Sequence, residues 1–250
     1  MKPSHDEQAR LHELALKLAA NELPPGWELV QSSNFARVAC NREQQIFYKE
    51  FLPRSPWEKI KALVRGSRAG RARRHSDALL QAGINAPANL AWGKLPGGSK
   101  YLFNEAAAGD DVTTWLTSVL IERSGEALAQ RRQLLKILGK FVGRVHATGF
   151  IHGDLRPGNI LAEYKGGRFL FTLIDNERTV QKLPPPGRML LRNLMQLNML
   201  PPGVLSRADR MRFFVAWRRQ MRDLDSIEAK LLAAQAYHWA MQRMYDKGQL

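Results

Sequence analysis

A single cysteine, Cys40, excludes an intramolecular disulfide in this chain of 250 residues, and the spacing of cysteine and histidine offers no zinc-binding pattern. Long apolar runs are missing as well. No stretch approaches the ~18 consecutive apolar residues that a membrane span needs, and the opening MKPSHDEQARLHELALKLAANELPPGW has no uninterrupted apolar segment. The expectation is a soluble chain in a reducing compartment, the cytoplasm. There is no internal repeat and no low-complexity tract. Acidic residues are scarce in two particular places. From residue 54 to 74, Arg54, Lys59, Lys61, Arg65, Arg68, Arg71, Arg73 and Arg74 face one acid, Glu58. From residue 188 to 222, Arg188, Arg192, Arg207, Arg210, Arg212, Arg218, Arg219 and Arg222 face Asp209 alone. A solvated helix face normally mixes both signs. The net charge of +15 therefore points to an anionic partner: nucleic acid, a phospholipid surface or a phosphorylated substrate.

What is present is enough for a core in two lobes: 44% of residues are apolar and 24% charged. Residues 6–20 carry Leu11, Leu14, Ala15 and Leu18 at helical spacing and end at Pro24-Pro25-Gly26. WELVQ and ARVAC read as strands joined by Ser32-Ser33-Asn34-Phe35, QIFYKEFL reads as a third, and together they suggest an antiparallel sheet. A basic helix is expected over about 57–81, stopping at Gly83. NLAWGKL and KYLFNEA then flank the hairpin turn Pro96-Gly97-Gly98. Thereafter the pattern is mainly helical, with Leu134, Leu135, Leu138, Phe141, Val142 and Val145 forming an apolar stripe before Gly149. ILAEY and FLFTLID form a strand-like pair around Gly166-Gly167, and Pro184-Pro185-Pro186-Gly187 reads as an internal linker.

Between the long helix and that pair lies FIHGDLRPGN, residues 150–159. An Asp or Asn beside Pro and Gly is most often a turn former. Here the order of elements adds weight: a sheet with a strand lysine, a long buried helix, the His-Gly-Asp loop, a hairpin, then LIDNER. That order resembles the protein-kinase-like fold, in which the helix supports a loop of the form H-x-D-L-x-x-x-x-N and a later Asp binds metal. The resemblance implies an α+β, two-lobed chain, with a small N-terminal antiparallel sheet lobe and a larger, mainly helical C-terminal lobe. It implies a helical extension over 1–26, a nucleotide-clamping lobe over 27–104 and a catalytic, acceptor-binding lobe over 105–250. Asp154 would orient the acceptor hydroxyl and take its proton, while His152 braces the loop. Asn159 and Asp175, both hard oxygen donors, would hold Mg²⁺. ATP is the implied co-substrate.

In the first lobe Lys49, on the third strand, stands where such a fold places the lysine that contacts the α and β phosphates. Ser32, Ser33 and Asn34 occupy the place of the phosphate-covering loop but include no glycine. Glu105 and Ala107 sit where backbone groups would meet adenine. No Glu lies between Glu58 and Glu105 to pair with Lys49. Asp77, Glu58, or Asp175 together with the phosphates are the alternatives. An A-P-E motif and a recognisable activation segment are also missing after Asp175, which argues against an ordinary protein kinase.

FYKEF, LLQAGINAP, GFIHGDLRPGNIL, LIDNERT, and RNLMQLN followed by SRADRMRFFVAW resemble the bacterial lipopolysaccharide core kinases over residues 27–220. That resemblance implies an ATP- and Mg²⁺-dependent kinase that phosphorylates a heptose or Kdo hydroxyl of a lipid-linked core oligosaccharide. It further implies a peripheral enzyme on the anionic cytoplasmic face of the inner membrane. Two other classes stay open. A soluble small-molecule kinase of the aminoglycoside-phosphotransferase type would be expected to carry an acidic acceptor cleft, whereas residues 184–222 are basic. A non-catalytic kinase-like binding module tends to lose the very carboxylates present here. Nucleic acid is not the expected partner, because Phe213, Phe214 and Trp217 at helical spacing read as core.

Overall fold

Ser4 accepts the N–H of Glu7 and opens α1 (His5–Ala19), whose first turn carries Asp6 and Glu7. The computed structural model describes residues 4–53 and 66–250. It divides into two compact units, Met1–Ala107 and Ala108–Leu250.

In the first unit, β1 (Trp27–Val30), β2 (Ala36–Asn41), β3 (Ile46–Phe51), β4 (Asn89–Lys94) and β5 (Lys100–Glu105) form an antiparallel sheet in the order β1-β2-β3-β5-β4. The turn and alternation signals place all five. Leu11, Ala15 and Leu18 of α1 pack on Trp27, Tyr48, Tyr101 and Phe103, so the 1–26 segment shares its core with the sheet. The other face of the sheet carries Phe51 and Leu102 against Ala69 and Ala72 of α2 (Arg68–Gln81). Because strand side chains alternate, Lys49 lies on this α2 face, paired in register with Val38 and Leu102. The helix expected over 57–81 is observed from Arg68 with Ser67 as its N-cap; residues 57–65 lie outside the described residues. Gly83, at φ +70°, ends it as anticipated.

The second unit opens with β6 (Asp110–Asp111), then a short helical turn, Val112–Thr114, that runs into a π-helix, Trp115–Val119. The long helix α3 (Gly125–Ala147) follows and buries Leu134, Leu135, Leu138, Val142 and Val145. Gly149, at φ +83°, turns the chain into β7 (Phe150–Ile151). A hairpin, β8 (Ile160–Lys165) and β9 (Arg168–Leu173), turns at Gly166-Gly167 and pairs with β6. β10 (Val180–Gln181) returns to pair with β7. The Pro184-Pro185-Pro186-Gly187 run joins β10 to α4 (Gly187–Leu197) inside this unit. Helices α5 (Arg207–Arg218) and α6 (Ser226–Tyr245) complete it.

Two devices press α5 onto α3. A Cβ at Gly139 would run into the carbonyl of Phe213, and one at Gly143 would lie 2.7 Å from the carbonyl of Trp217, so only glycine allows this approach. At the helix starts, fully buried Arg131 pairs with Asp209 at 3.3 Å and donates to the carbonyls of Leu116, Leu120 and Val204. Asp209 belongs to the α5 capping box with Ser206.

Candidate active site

The loop after β7 is built around His152. Its Nε2 donates to the carbonyl of Ile174 at 3.0 Å, and its Nδ1 accepts the N–H of Asp154 at 3.2 Å. Those partners fix a neutral imidazole with its proton on Nε2, and burial holds its pKa below the ordinary value. His152 thus ties the loop to the end of β9. A Cβ at Gly153 would overlap Arg178, so the glycine between His152 and Asp154 lets the NER segment close on the loop.

Asp154, with its side chain 23% exposed, accepts from Gln196 Nε2 at 3.2 Å and from Arg156 Nε at 2.9 Å. Among the described residues both side-chain contacts fall on Oδ1, and Oδ2 receives neither. Asn159, in the short 3-10 turn Pro157–Asn159, donates its amide nitrogen to the Asp154 carbonyl at 2.8 Å, so its Oδ1 is the end available to a cation. The backbones of Asn159 and Ile174 are bonded at 3.1 Å, one step past the Ile160–Leu173 rung of the hairpin. Asp175 leaves from that same hairpin end in a left-handed conformation, φ +60°, ψ +45°, a conformation concentrated at functional sites when it occurs outside glycine. The second unit thus brings Asp154, Asn159 and Asp175 to one loop-and-hairpin corner, with His152 beneath them.

Asn159 and Asp175 suit magnesium: both offer hard oxygen, and two protein donors leave room for phosphate oxygens and water. Among the described residues no cluster of three or more His, Cys, Asp or Glu could hold a metal without such help.

The first-unit candidates are placed separately. Lys49 lies 5.2 Å from the Phe51 ring centroid on the α2 face. Asp77 of α2 accepts from the Asn89 amide at 2.7 Å, and Glu58 lies outside the described residues. Ser32, Ser33 and Asn34 are exposed, but the loop is closed on itself: the Ser32 hydroxyl donates to the Ala36 carbonyl at 2.7 Å and the Ala36 N–H to Ser33. At the end of β5 the N–H groups of Glu105 and Ala106 are already bonded to the carbonyls of Ala88 and Gln45.

Three residues of the site escaped the sequence reading. Arg156 contacts the Asp154 carboxylate although its side chain is 61% exposed. Asn193 and Gln196 project from α4 onto the loop: Asn193 donates to the His152 carbonyl at 2.5 Å, and Gln196 accepts the Leu155 N–H at 3.0 Å. The signal available was their position in RNLMQLN, a polar pair three apart among the leucines and methionine of that helix's buried segment.

Beside the loop is a cavity of about 380 Å³, walled by Leu116, Leu138, Pro157, Leu197 and Phe214 and edged by Arg207 and Lys230.

A sequence profile of the lipopolysaccharide kinase (Kdo/WaaP) family matches residues 60–217. No curated protein matches the chain. Among solved structures, WaaP in complex with acyl carrier protein aligns with a TM-score of 0.61 at 20% identity, covering 90% of this chain and 91% of that one. A crystal structure of WbdD aligns with a TM-score of 0.50 at 20% identity over 86% of this chain, which spans only 45% of the WbdD chain. These likenesses show a protein-kinase-like fold.

Proposed function

Since the chain belongs to the lipopolysaccharide kinase (Kdo/WaaP) family, we propose that it transfers the terminal phosphate of ATP to a heptose or Kdo hydroxyl of a lipid-linked inner-core oligosaccharide, working peripherally at the cytoplasmic face of the inner membrane. The observation that carries the proposal is the geometry of one corner. Among the described residues the side-chain contacts of Asp154 fall on Oδ1 and not on Oδ2, the Asn159 amide is tied to the Asp154 carbonyl, the Asn159 carbonyl accepts the Ile174 N–H, and Asp175 follows Ile174 at the same hairpin end.

Asp154 holds the acceptor hydroxyl and takes its proton as the bond to phosphorus forms. Asn159 Oδ1 and the Asp175 carboxylate are the groups that would hold Mg²⁺, which when bound neutralises phosphate charge. Arg156, which reaches the loop from solvent to pair with Oδ1 of Asp154, can swing to stabilise negative charge on the transferring group. Lys49 takes the α and β phosphates, and the 32–34 loop and the Glu105–Ala107 corner contribute backbone groups to the nucleotide.

An apolar cavity with cations at its edge favours an amphipathic acceptor over a small polar alcohol. WaaP has been solved with acyl carrier protein; an acyl chain in this cavity, whether of the lipid acceptor or of such a carrier, is the corresponding reading here.

The test is incubation of purified protein with ATP–Mg²⁺ and either core lipopolysaccharide or a panel of small alcohols and aminoglycosides, followed by location of the new phosphate. Core sugar phosphorylation is expected, reduced by about 10² or more in Asp154→Asn while nucleotide binding persists. Transfer to the small acceptors alone would select the soluble-kinase alternative. Nucleotide binding without transfer to any acceptor would select the binding module.

A further inference from the structure

Trp217, His146, Asn193 and Gln196 form a row of hydrogen bonds that ends on the Asp154 carboxylate, and its direction is set at the tryptophan. An indole N–H can only donate. It donates to His146 Nδ1 at 3.0 Å, which places the imidazole proton on Nε2, 3.2 Å from Asn193 Oδ1. With its oxygen accepting, Asn193 turns its amide nitrogen to the His152 carbonyl and, at 3.3 Å, to Gln196 Oε1. That oxygen also accepts the N–H of Leu155. The amide nitrogen of Gln196 is therefore the group aimed at Asp154 Oδ1. Turning either amide around would set donor against donor and acceptor against acceptor.

Water cannot easily substitute, because Trp217 and His146 are 0% exposed, Asn193 1% and Gln196 6%. Burial keeps His146 neutral, in the one-donor, one-acceptor form the row requires. Asn193 and Gln196 stand three apart and so share one face of α4. The second group on Oδ1, Arg156, is largely solvent-exposed, and an exposed pair holds a rotamer weakly.

We propose that Gln196 is a positioning residue: it fixes the Asp154 side chain by donating to Oδ1, so that Oδ2 meets the acceptor hydroxyl, and the Trp217–His146–Asn193 row holds Gln196 in the donating orientation. The proposal rests on Asp154 as the base, and its experiment separates the two. Gln196→Glu keeps the side-chain length and an oxygen for Leu155 and Asn193, but removes the N–H directed at Asp154. In steady-state assays with core acceptor, its kcat is expected to fall about 10- to 100-fold with the KM for ATP unchanged, and its melting temperature to fall, because a second carboxylate is buried about 3.2 Å from that of Asp154; the Asp154→Asn background removes that repulsion. Gln196→Leu, which also loses the Leu155 bond, should lower both kcat and melting temperature. In the Asp154→Asn background Gln196→Glu should cause no additional fall, because no carboxylate remains to be placed. An unchanged kcat in Gln196→Glu, or an equal fractional fall in the Asp154→Asn background, overturns the positioning role and leaves Gln196 a loop anchor. Near-parent activity in Asp154→Asn alone overturns the base assignment, and the positioning role with it.

Discussion

His146 and His152 are both buried with lowered pKa values, and both make folding sensitive to mild acid. Burial pushes His146 down to about 4, against an ordinary 6.5, with only a partial offset from the Asn193 hydrogen bond. Below pH 6.5 the unfolded chain binds a proton that the folded chain refuses. The contribution is therefore complete above pH 6.5 and is lost as pH falls toward 4. The displacement of His146 corresponds to about 3 kcal/mol over that window, and His152 acts in the same direction. Urea midpoints measured from pH 7 to pH 5 should fall steadily, and His146→Gln should show a shallower fall; an identical slope would mean that His146 does not titrate in this way. At the proposed metal ligands, Asn159→Ala and Asp175→Ala should weaken Mg²⁺-dependent ATP binding in calorimetry, because each removes a hard oxygen. An unchanged metal dependence in both would place the ion elsewhere. His152, Asp154, Asn159 and Asp175 were legible in the sequence because the chain itself fixes their spacing. Gln196 was not, since its contacts with Leu155 and Asp154 join residues 41 and 42 positions apart that only the placement of α4 brings together. Trp217 was read as core, and it is buried, but its indole N–H also serves the site.

Strands and helices were placed largely by signals within a few residues, such as Ser32–Phe35, Pro96–Gly98 and Gly166–Gly167 at turns and the stripe on α3. The π-helix at Trp115–Val119 left no such signal, because its register answers tertiary partners: Trp115 Nε1 donates to the Ala162 carbonyl and Arg131 to Leu116. The α3–α5 contact was likewise hidden. Gly139 and Gly143 look like weak points in a helix, since glycine there costs about 1 kcal/mol relative to alanine. By propensity alone Gly139→Ala should stabilise. The Phe213 carbonyl occupies the place of the new methyl group, however, and overpacking of this kind typically costs about 1–3 kcal/mol. The steric effect therefore wins. Thermal melts should show Gly139→Ala destabilised, while Gly203→Ala, with nothing near its Cβ, stays close to the parent. A melting temperature raised in Gly139→Ala would mean that α5 yields at no cost.

Across the whole molecule the excess positive charge divides into arginines that hold the fold and arginines that face solvent. Arg68 is buried and donates to the carbonyls of Phe35 and Leu52, Arg71 donates to Gly66, and Arg73 lies over the Trp92 ring. Arg210 is bonded to Asn198 and Leu200. These members of the two basic stretches are therefore poor candidates for membrane docking. A better one joins two arginines of the second stretch to cations outside either run: Arg132, Lys136 and Lys140, one turn apart on α3, line a groove with Arg212 and Arg219 near the exposed Met211 and Val215 of α5. Its cations come from segments far apart in the chain, so only the pairing of α3 with α5 assembles it. Cations flanking exposed apolar side chains suit an anionic lipid surface, where each contributes about 1 kcal/mol until salt screens it beyond a Debye length of about 10 Å at 0.1 M. Co-sedimentation with vesicles of anionic or neutral lipid should show binding to the anionic ones only, lost at high salt and reduced by changing Lys136, Lys140 and Arg219 together to Ser. Phosphorylation of a delipidated core acceptor should persist in that variant, because none of the three touches the Asp154 loop. Equal binding to neutral vesicles, or full anionic binding by the variant, would remove this groove from membrane association.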